Sequence, residues 1–337
     1  MHVLITGGSG FLGLRLARTL LQQESLSLAG APSRALGQLT LTDRVAPPPD
    51  LLTDPRVVAH AGDLLTLLQD AALPTVDVDL IVHLAAAVSA ECEADFDLGM
   101  RSNLDTMRGL LDYARRQPRP PLVVFASSVA VFGDPLGRPF QQTVTDETLP
   151  TPQNSYGIQK FIGEQLMADY GRKGFIRARS LRLMTVSVRP GRPNGAASGF
   201  LSGMIREPLA GLPCRVPVPP ETAVALASPG NTIRGMLRAI TASDTEWGGR
   251  TAVNLPSVCV TVQEMAQTLG RVAGPEALRH LDWAVDPVVT RVVGGWPSRF
   301  QTGRALGLGL LPDPDFASIV RDYIAENSGA VTHAVRP

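Results

Sequence analysis

Tyr156 and Lys160 stand four residues apart in Tyr156-Gly157-Ile158-Gln159-Lys160. On a helix that spacing sets a phenol and an ammonium on one face, about 6 Å from each other. The chain has four tyrosines and two lysines, so a chance match is on the order of 2%. A free phenol ionises near pH ~10 and is a poor base at neutral pH. A neighbouring positive charge favours the phenolate and brings it into a useful range. Upstream, Phe125-Ala126-Ser127-Ser128 closes an apolar run. A hydroxyl at the carboxyl end of a strand faces the crevice where open α/β sheets bind ligands. Ser128 is therefore placed to hold a substrate oxygen while Tyr156 takes its proton; a turn-capping serine is the competing reading.

A second constellation opens the chain. The apolar run His2–Thr6 leads into Gly7-Gly8-Ser9-Gly10-Phe11-Leu12-Gly13, which begins an amphipathic stretch. Gly7 permits a tight turn, Gly10 lets backbone approach a pyrophosphate, and Gly13 lets helix pack on strand. Amides at the helix start then face the phosphates. Asp43 ends the next apolar run, where a carboxylate accepts from the adenosine ribose hydroxyls and repels a 2′-phosphate, so NAD is expected over NADP. Arg44 beside it argues the other way. Asp63, in Gly62-Asp63-Leu64, is placed to reach the adenine or to cap the following helix.

These residues need a parallel sheet to carry them. Candidate strands are 2–6, 38–42, 56–60, 80–84, 122–126 and 179–183, alternating with helical patterns over 11–23, 64–71, 96–116 and 156–170. That rhythm predicts an α/β fold, a Rossmann-type doubly wound parallel sheet. After Pro190 the texture turns to short elements broken by Pro and Gly, with helices expected at 198–210, 231–241, 262–272 and 315–327. A cofactor-binding domain over 1–185 and a smaller C-terminal substrate lobe over 186–330 follow, with segments exchanged between them allowed.

Composition bounds the rest. Of 337 residues 18% are charged and 44% hydrophobic, with 31 basic against 31 acidic side chains, which excludes a disordered chain and gives no overall bias toward nucleic acid. The balance hides a basic stretch from Arg172 to Arg215, where nine bases meet a single acid, Glu207. That stretch is either scattered surface arginine or a site for an anion. Cys92, Cys214 and Cys259 are widely spaced and odd in number, so neither a disulfide framework nor a cysteine metal site is expected. With no run of 18 apolar residues and no signal-peptide pattern, a cytoplasmic protein without membrane or nucleic-acid partners is the expectation.

Gly7-x-x-Gly10-x-x-Gly13, Asp63, the serine before Val129-Ala130-Val131-Phe132-Gly133 and Tyr156-x-x-x-Lys160 together resemble the extended short-chain dehydrogenase/reductase family, of the NAD-dependent epimerase/dehydratase type, over about residues 1–330. The resemblance implies that Ser128, Tyr156 and Lys160 are the catalytic trio, with Asn103 in a proton relay behind the lysine; a simple helix kink or polar contact is the alternative for Asn103. It also implies NAD as cofactor, with Phe11, Leu12, Leu64, Leu84, Ala85 and Ala86 lining its crevice, and a homodimer built from the helices at 96–116 and 156–170. Leu104, Leu111, Phe161 and Leu166 would be partly buried in that dimer, though the sheet of the same chain could claim them instead.

Glu91–Asp97, Leu181–Val186, Arg189–Asn194, Ala196–Phe200 and Arg206–Leu209 look closest to the subgroup that oxidises D-erythronate, although Met184 stands where that group has proline. The implied reaction is oxidation of a short sugar acid. Its carboxylate calls for a cation, Arg189 or Arg192, with Thr185 and Asn194 as further substrate contacts. A nucleotide-sugar epimerase or dehydratase would use the same trio, and a non-catalytic NAD sensor would not need it.

Overall fold

The computed structural model describes residues 1–73, 77–138, 140–191 and 196–332. Its core is a seven-stranded sheet in the order β10-β6-β5-β4-β1-β2-β3. These strands are β1 (His2–Thr6), β2 (Gln38–Asp43), β3 (Val57–Ala61), β4 (Leu80–His83), β5 (Leu122–Ser128), β6 (Arg177–Leu183) and β10 (Val253–Asn254). Neighbours from β3 through β5 pair in parallel, with Thr6 opposite both Thr42 and His83. Strand order reverses where β1 meets β4, the point at which such sheets open a crevice at their carboxyl ends. The strands read as near-continuous Val, Leu and Ile because both faces are covered: Val3, Leu4, Ile5, Leu80, Ile81 and Val82 are fully buried.

The chain forms two compact units, each built from three separate segments. Residues 1–128, 154–182 and 233–253 make the first, and 129–153, 183–232 and 254–337 the second. In the first unit the helices are α1 (Phe11–Leu21), α2 (Leu64–Gln69), α3 (Ser89–Ala94), α4 (Thr106–Arg115) and α5 (Ser155–Arg172). Met107, Leu110, Leu111 and Ala114 of α4 and Met167 of α5 pack with Leu4, Ile81, Val123 and Phe125 of the sheet. Each such leucine contributes about 2 kcal/mol on burial.

The helix expected over 96–116 runs instead as a short turn, Phe96–Gly99, then a π-helical stretch, Met100–Asp105, then α4. Such a bulge marks a place where side chains replace the regular backbone ladder. Here Asn103 accepts from Ala87 N at 2.8 Å and donates to Ala87 O at 3.1 Å. Of the residues offered to dimer or sheet, Leu111 is claimed by the sheet, fully buried within its own unit.

The second unit holds two small sheets. One has the order β11-β9-β7, from β7 (Thr185–Val186), β9 (Ala223–Ala227) and β11 (Val258–Thr261); the other pairs β8 (Cys214–Val216) with β12 (Leu281–Trp283). Its core brings Leu201, Met204 and Ile205 of α6 (Gly199–Leu209) together with Met265 and Leu269 of α7 (Val262–Ala273) and Phe316, Ile319 and Val320 of α8 (Phe316–Glu326). α7 starts with a reciprocal cap: Thr261 Oγ1 accepts from Glu264 N, and Glu264 Oε2 accepts from Thr261 N. No helix among the described residues is long and apolar enough to cross a membrane.

Candidate active site

The turn after β1 is built by close approach. A Cβ on Gly13 would lie 2.1 Å from Gly7 O, and one on Gly7, whose φ is +69°, would lie 2.8 Å from Ala85 N. Only glycine fits either place. Gly10 caps α1 with no side-chain hydrogen bond, so the amides of Phe11, Leu12 and Gly13 in the first turn have no side-chain cap and suit an anion. Leu84-Ala85-Ala86, half-buried, follow β4 directly against this turn, with Leu84 N donating to Thr6 O at 3.1 Å. Thr6 Oγ1 lies 2.7 Å from His83 Nδ1 and accepts from Ala85 N at 3.4 Å. Burial, seconded by the charge of Lys160, pushes the His83 imidazole down to about 3, so it is neutral.

Asp43 ends β2 beside the turn. Its carboxylate accepts from Ser9 N at 3.0 Å and from Arg44 N at 2.7 Å, and Arg44 Nη2 turns away to Ser102 Oγ at 3.4 Å. A tight glycine cradle, uncapped amides and a carboxylate at the end of the second strand form a donor set that fits a dinucleotide. Asp63 is the N-cap of α2, accepting from Thr66 N at 3.0 Å, and also pairs with Arg101 at 2.9 Å. Partial burial opposes its ionisation, but the bonds from Thr66 and Arg101 outweigh that and hold it below the usual carboxylate range. Leu64 is the first residue of α2 and is buried.

Tyr156 and Lys160 share α5, whose N-cap, Asn154, accepts from Gly157 N at 2.8 Å. Lys160 Nζ sits 5.6 Å from the centroid of the Tyr156 ring and 4.9 Å from that of Phe125, and donates to Ala126 O at 2.9 Å. Ser128 ends β5 two residues beyond that carbonyl, so one strand terminus serves both groups. Burial is the main influence on Lys160 and brings its ammonium down to about 8, with Cys92 and Glu164 opposing the fall. Asn103 Nδ2 donates to Gln159 Oε1 at 2.8 Å and to Cys92 Sγ at 3.3 Å, tying the π-helical stretch to α5.

The basic stretch is largely internal. Arg172 pairs with Asp169, Arg177 and Arg179 with Asp244, Arg182 with Glu164, and Arg206 with Glu207. In the second unit Arg189 donates through Nε to Val186 O at 3.1 Å and through its amide to Ser202 Oγ at 3.0 Å. Thr185 opens β7 opposite Leu226, and Met184 is buried with Val129, Ala225 and Ala227. Arg192 and Asn194 lie outside the described residues.

Sequence reasoning missed the buried partners of this machinery: Thr6–His83, Cys92–Gln159 around Asn103, and Glu164–Arg182 with Ser127. One of them had a signal, since Tyr156, Lys160 and Glu164 continue a single four-residue stripe.

A sequence model of the NAD dependent epimerase/dehydratase family matches residues 3–254. The chain is 47% identical over 328 residues to a D-erythronate dehydrogenase of Cupriavidus necator, covering 97% of this chain and 98% of that one. It is 38% identical over 325 residues to a D-erythronate dehydrogenase of Haemophilus influenzae, covering 96% and 99%. Among solved structures, a nucleoside-diphosphate-sugar epimerase from Agrobacterium tumefaciens superposes with a TM-score of 0.85 at 35% identity, covering 98% of this chain and 95% of that one.

Proposed function

Because the chain belongs to the NAD dependent epimerase/dehydratase family, we propose that it is an NAD-dependent dehydrogenase that oxidises D-erythronate to 2-dehydro-D-erythronate. The observation that carries this reading is the 47% identity, over nearly the whole of both chains, to a D-erythronate dehydrogenase. NAD, when bound, supplies the acceptor for the hydride leaving C2 of the acid. Gly7, Gly10, Gly13 and the amides of Phe11 and Leu12 hold its pyrophosphate. Asp43 holds the adenosine ribose, Asp63 and Leu64 flank the adenine, and Leu84, Ala85 and Ala86 line the crevice.

Tyr156 takes the proton from the substrate hydroxyl, and Ser128 holds the same oxygen through its own hydroxyl. Lys160 lends positive charge, which stabilises the phenolate, and grips the nicotinamide ribose. Its amine is anchored on Ala126 O. Asn103 supports this arrangement through Gln159, the neighbour of Lys160 on α5. The substrate carboxylate is met by Arg189 or Arg192, with Thr185 and Asn194 completing the contacts. On this reading residues 1–185 carry the cofactor, and Ser128, Tyr156 and Thr185 of that span meet the acid together with residues of 186–330.

The protein acts as a homodimer in the cytoplasm. Ile158 and Ile162 on α5 and Phe96 before α4 are 46%, 36% and 61% exposed, an apolar set that a second copy would cover. The three free thiols suit a reducing compartment.

A panel of four- to six-carbon aldonic acids and UDP-glucose, assayed with NAD by NADH absorbance, tests the assignment. D-erythronate is expected to give the highest kcat/KM, with NAD preferred over NADP. Epimerised UDP-glucose with every acid inert would overturn it in favour of the nucleotide-sugar reading.

A further inference from the structure

Glu164 lies one helical turn beyond Lys160 on α5, with its side chain 3% exposed. Its Oε1 accepts from Ser127 Oγ at 2.5 Å and from Arg182 Nε at 2.9 Å, and its Oε2 from Arg182 Nη2 at 2.7 Å. Donors from β5 and β6 thus fix one carboxylate in a single place. Taking both charges out of water costs about as much as their attraction returns, and apolar side chains of similar volume would hold helix to sheet as well. Stability therefore does not explain the pair. Its location gives another explanation.

Lys160 is itself buried, 4% exposed. The groups around it are the Phe125 ring and Ala126 carbonyl of β5, His83 of β4, Cys92 of α3, and Tyr156 and Glu164 of α5. His83 is neutral, and burial pushes the Cys92 thiol up. Among these groups Glu164 is the carboxylate, held in an ion pair with Arg182. Arg182 approaches Glu164 from β6 and carries the compensating charge. We propose that Glu164, clamped by Arg182 and Ser127, is a positioning residue that keeps the ammonium of Lys160 charged beside Tyr156. The desolvation that drives Lys160 toward its neutral form is what this carboxylate offsets.

The inference rests on reading Tyr156 and Lys160 as the working pair, but its test needs no substrate. Lys160 and Lys173 are the only lysines in the chain, so lysine labelled with 13C at Cε gives two side-chain signals, assigned by Lys173→Arg. In the parent protein Lys160 should titrate near pH 8. Glu164→Gln keeps the shape and the bond to Ser127 while removing the charge, and should lower the Lys160 titration by at least one pH unit, a tenfold loss of proton affinity. Arg182→Gln leaves the carboxylate uncompensated and should raise it. A merely structural pair would not shift one lysine in opposite directions. A Lys160 titration unmoved in both variants overturns the proposal; if Glu164→Gln does not fold, Arg182→Gln decides alone, and no rise overturns it. The alkaline limb of kcat/KM should follow the lysine. If the lysine shifts and that limb does not, the Tyr156–Lys160 reading fails while the role of Glu164 toward Lys160 stands.

Discussion

The underside of α5 and its exposed C-terminal end hold charge in opposite ways. Beneath α5, Lys160 and the Glu164–Arg182 pair are buried, fixed by backbone and side-chain donors, and out of reach of salt. At the end of the helix Arg172 and Asp169 pair at the surface, with side chains 53% and 56% exposed. A charge in water is screened and its neighbours matter little, whereas a buried one is governed by the few groups that touch it. On the reading proposed above, chemistry belongs to the first region.

Mutations should separate the two regions in order of size. Tyr156→Phe removes the proton acceptor and little packing, so kcat should fall by about 1,000-fold. NAD affinity by fluorescence titration should stay nearly unchanged; a kcat within tenfold of the parent would make the assigned base wrong. Lys160→Ala should cost about 100-fold in kcat and also weaken NAD binding, because the ammonium is assigned to both tasks. Unchanged affinity in that variant would remove the ribose contact from its role. Arg189→Ala, in the basic stretch, should raise KM for D-erythronate about tenfold, or ~1.4 kcal/mol if KM reports affinity. A normal KM there, with a raised one in Arg192→Ala, would transfer the carboxylate contact to Arg192. Arg172→Ala breaks an exposed pair and should change stability by less than about 0.5 kcal/mol in urea unfolding, with no effect on rate. A larger loss would mean the surface pairs are not independent.

The same contrast explains what could be read from sequence. Helical spacing is a local rule, so Tyr156-x-x-x-Lys160 and the Gly7-x-x-Gly10-x-x-Gly13 turn carried their geometry with them, and the alternating strands found their places in the sheet. A cluster of like charges carries no such rule. Arg177 and Arg179 reach Asp244, more than sixty positions away, a partner no spacing announces. Asn103 shows the middle case: it stands in the expected helix, yet the π-helical widening that joins it to Ala87 and Gln159 arises from contacts across the fold. Burial of Leu111 by its own sheet face likewise depends on which side of the helix the core claims.

The most direct test of the central claim follows the hydrogen at C2. D-erythronate deuterated at that carbon, turned over with NAD by the purified protein, should deliver its deuterium to the reduced nicotinamide and leave the 2-keto acid, both read by mass spectrometry. Deuterium retained in the acid or lost to water, or no reduced nicotinamide formed, would contradict the account.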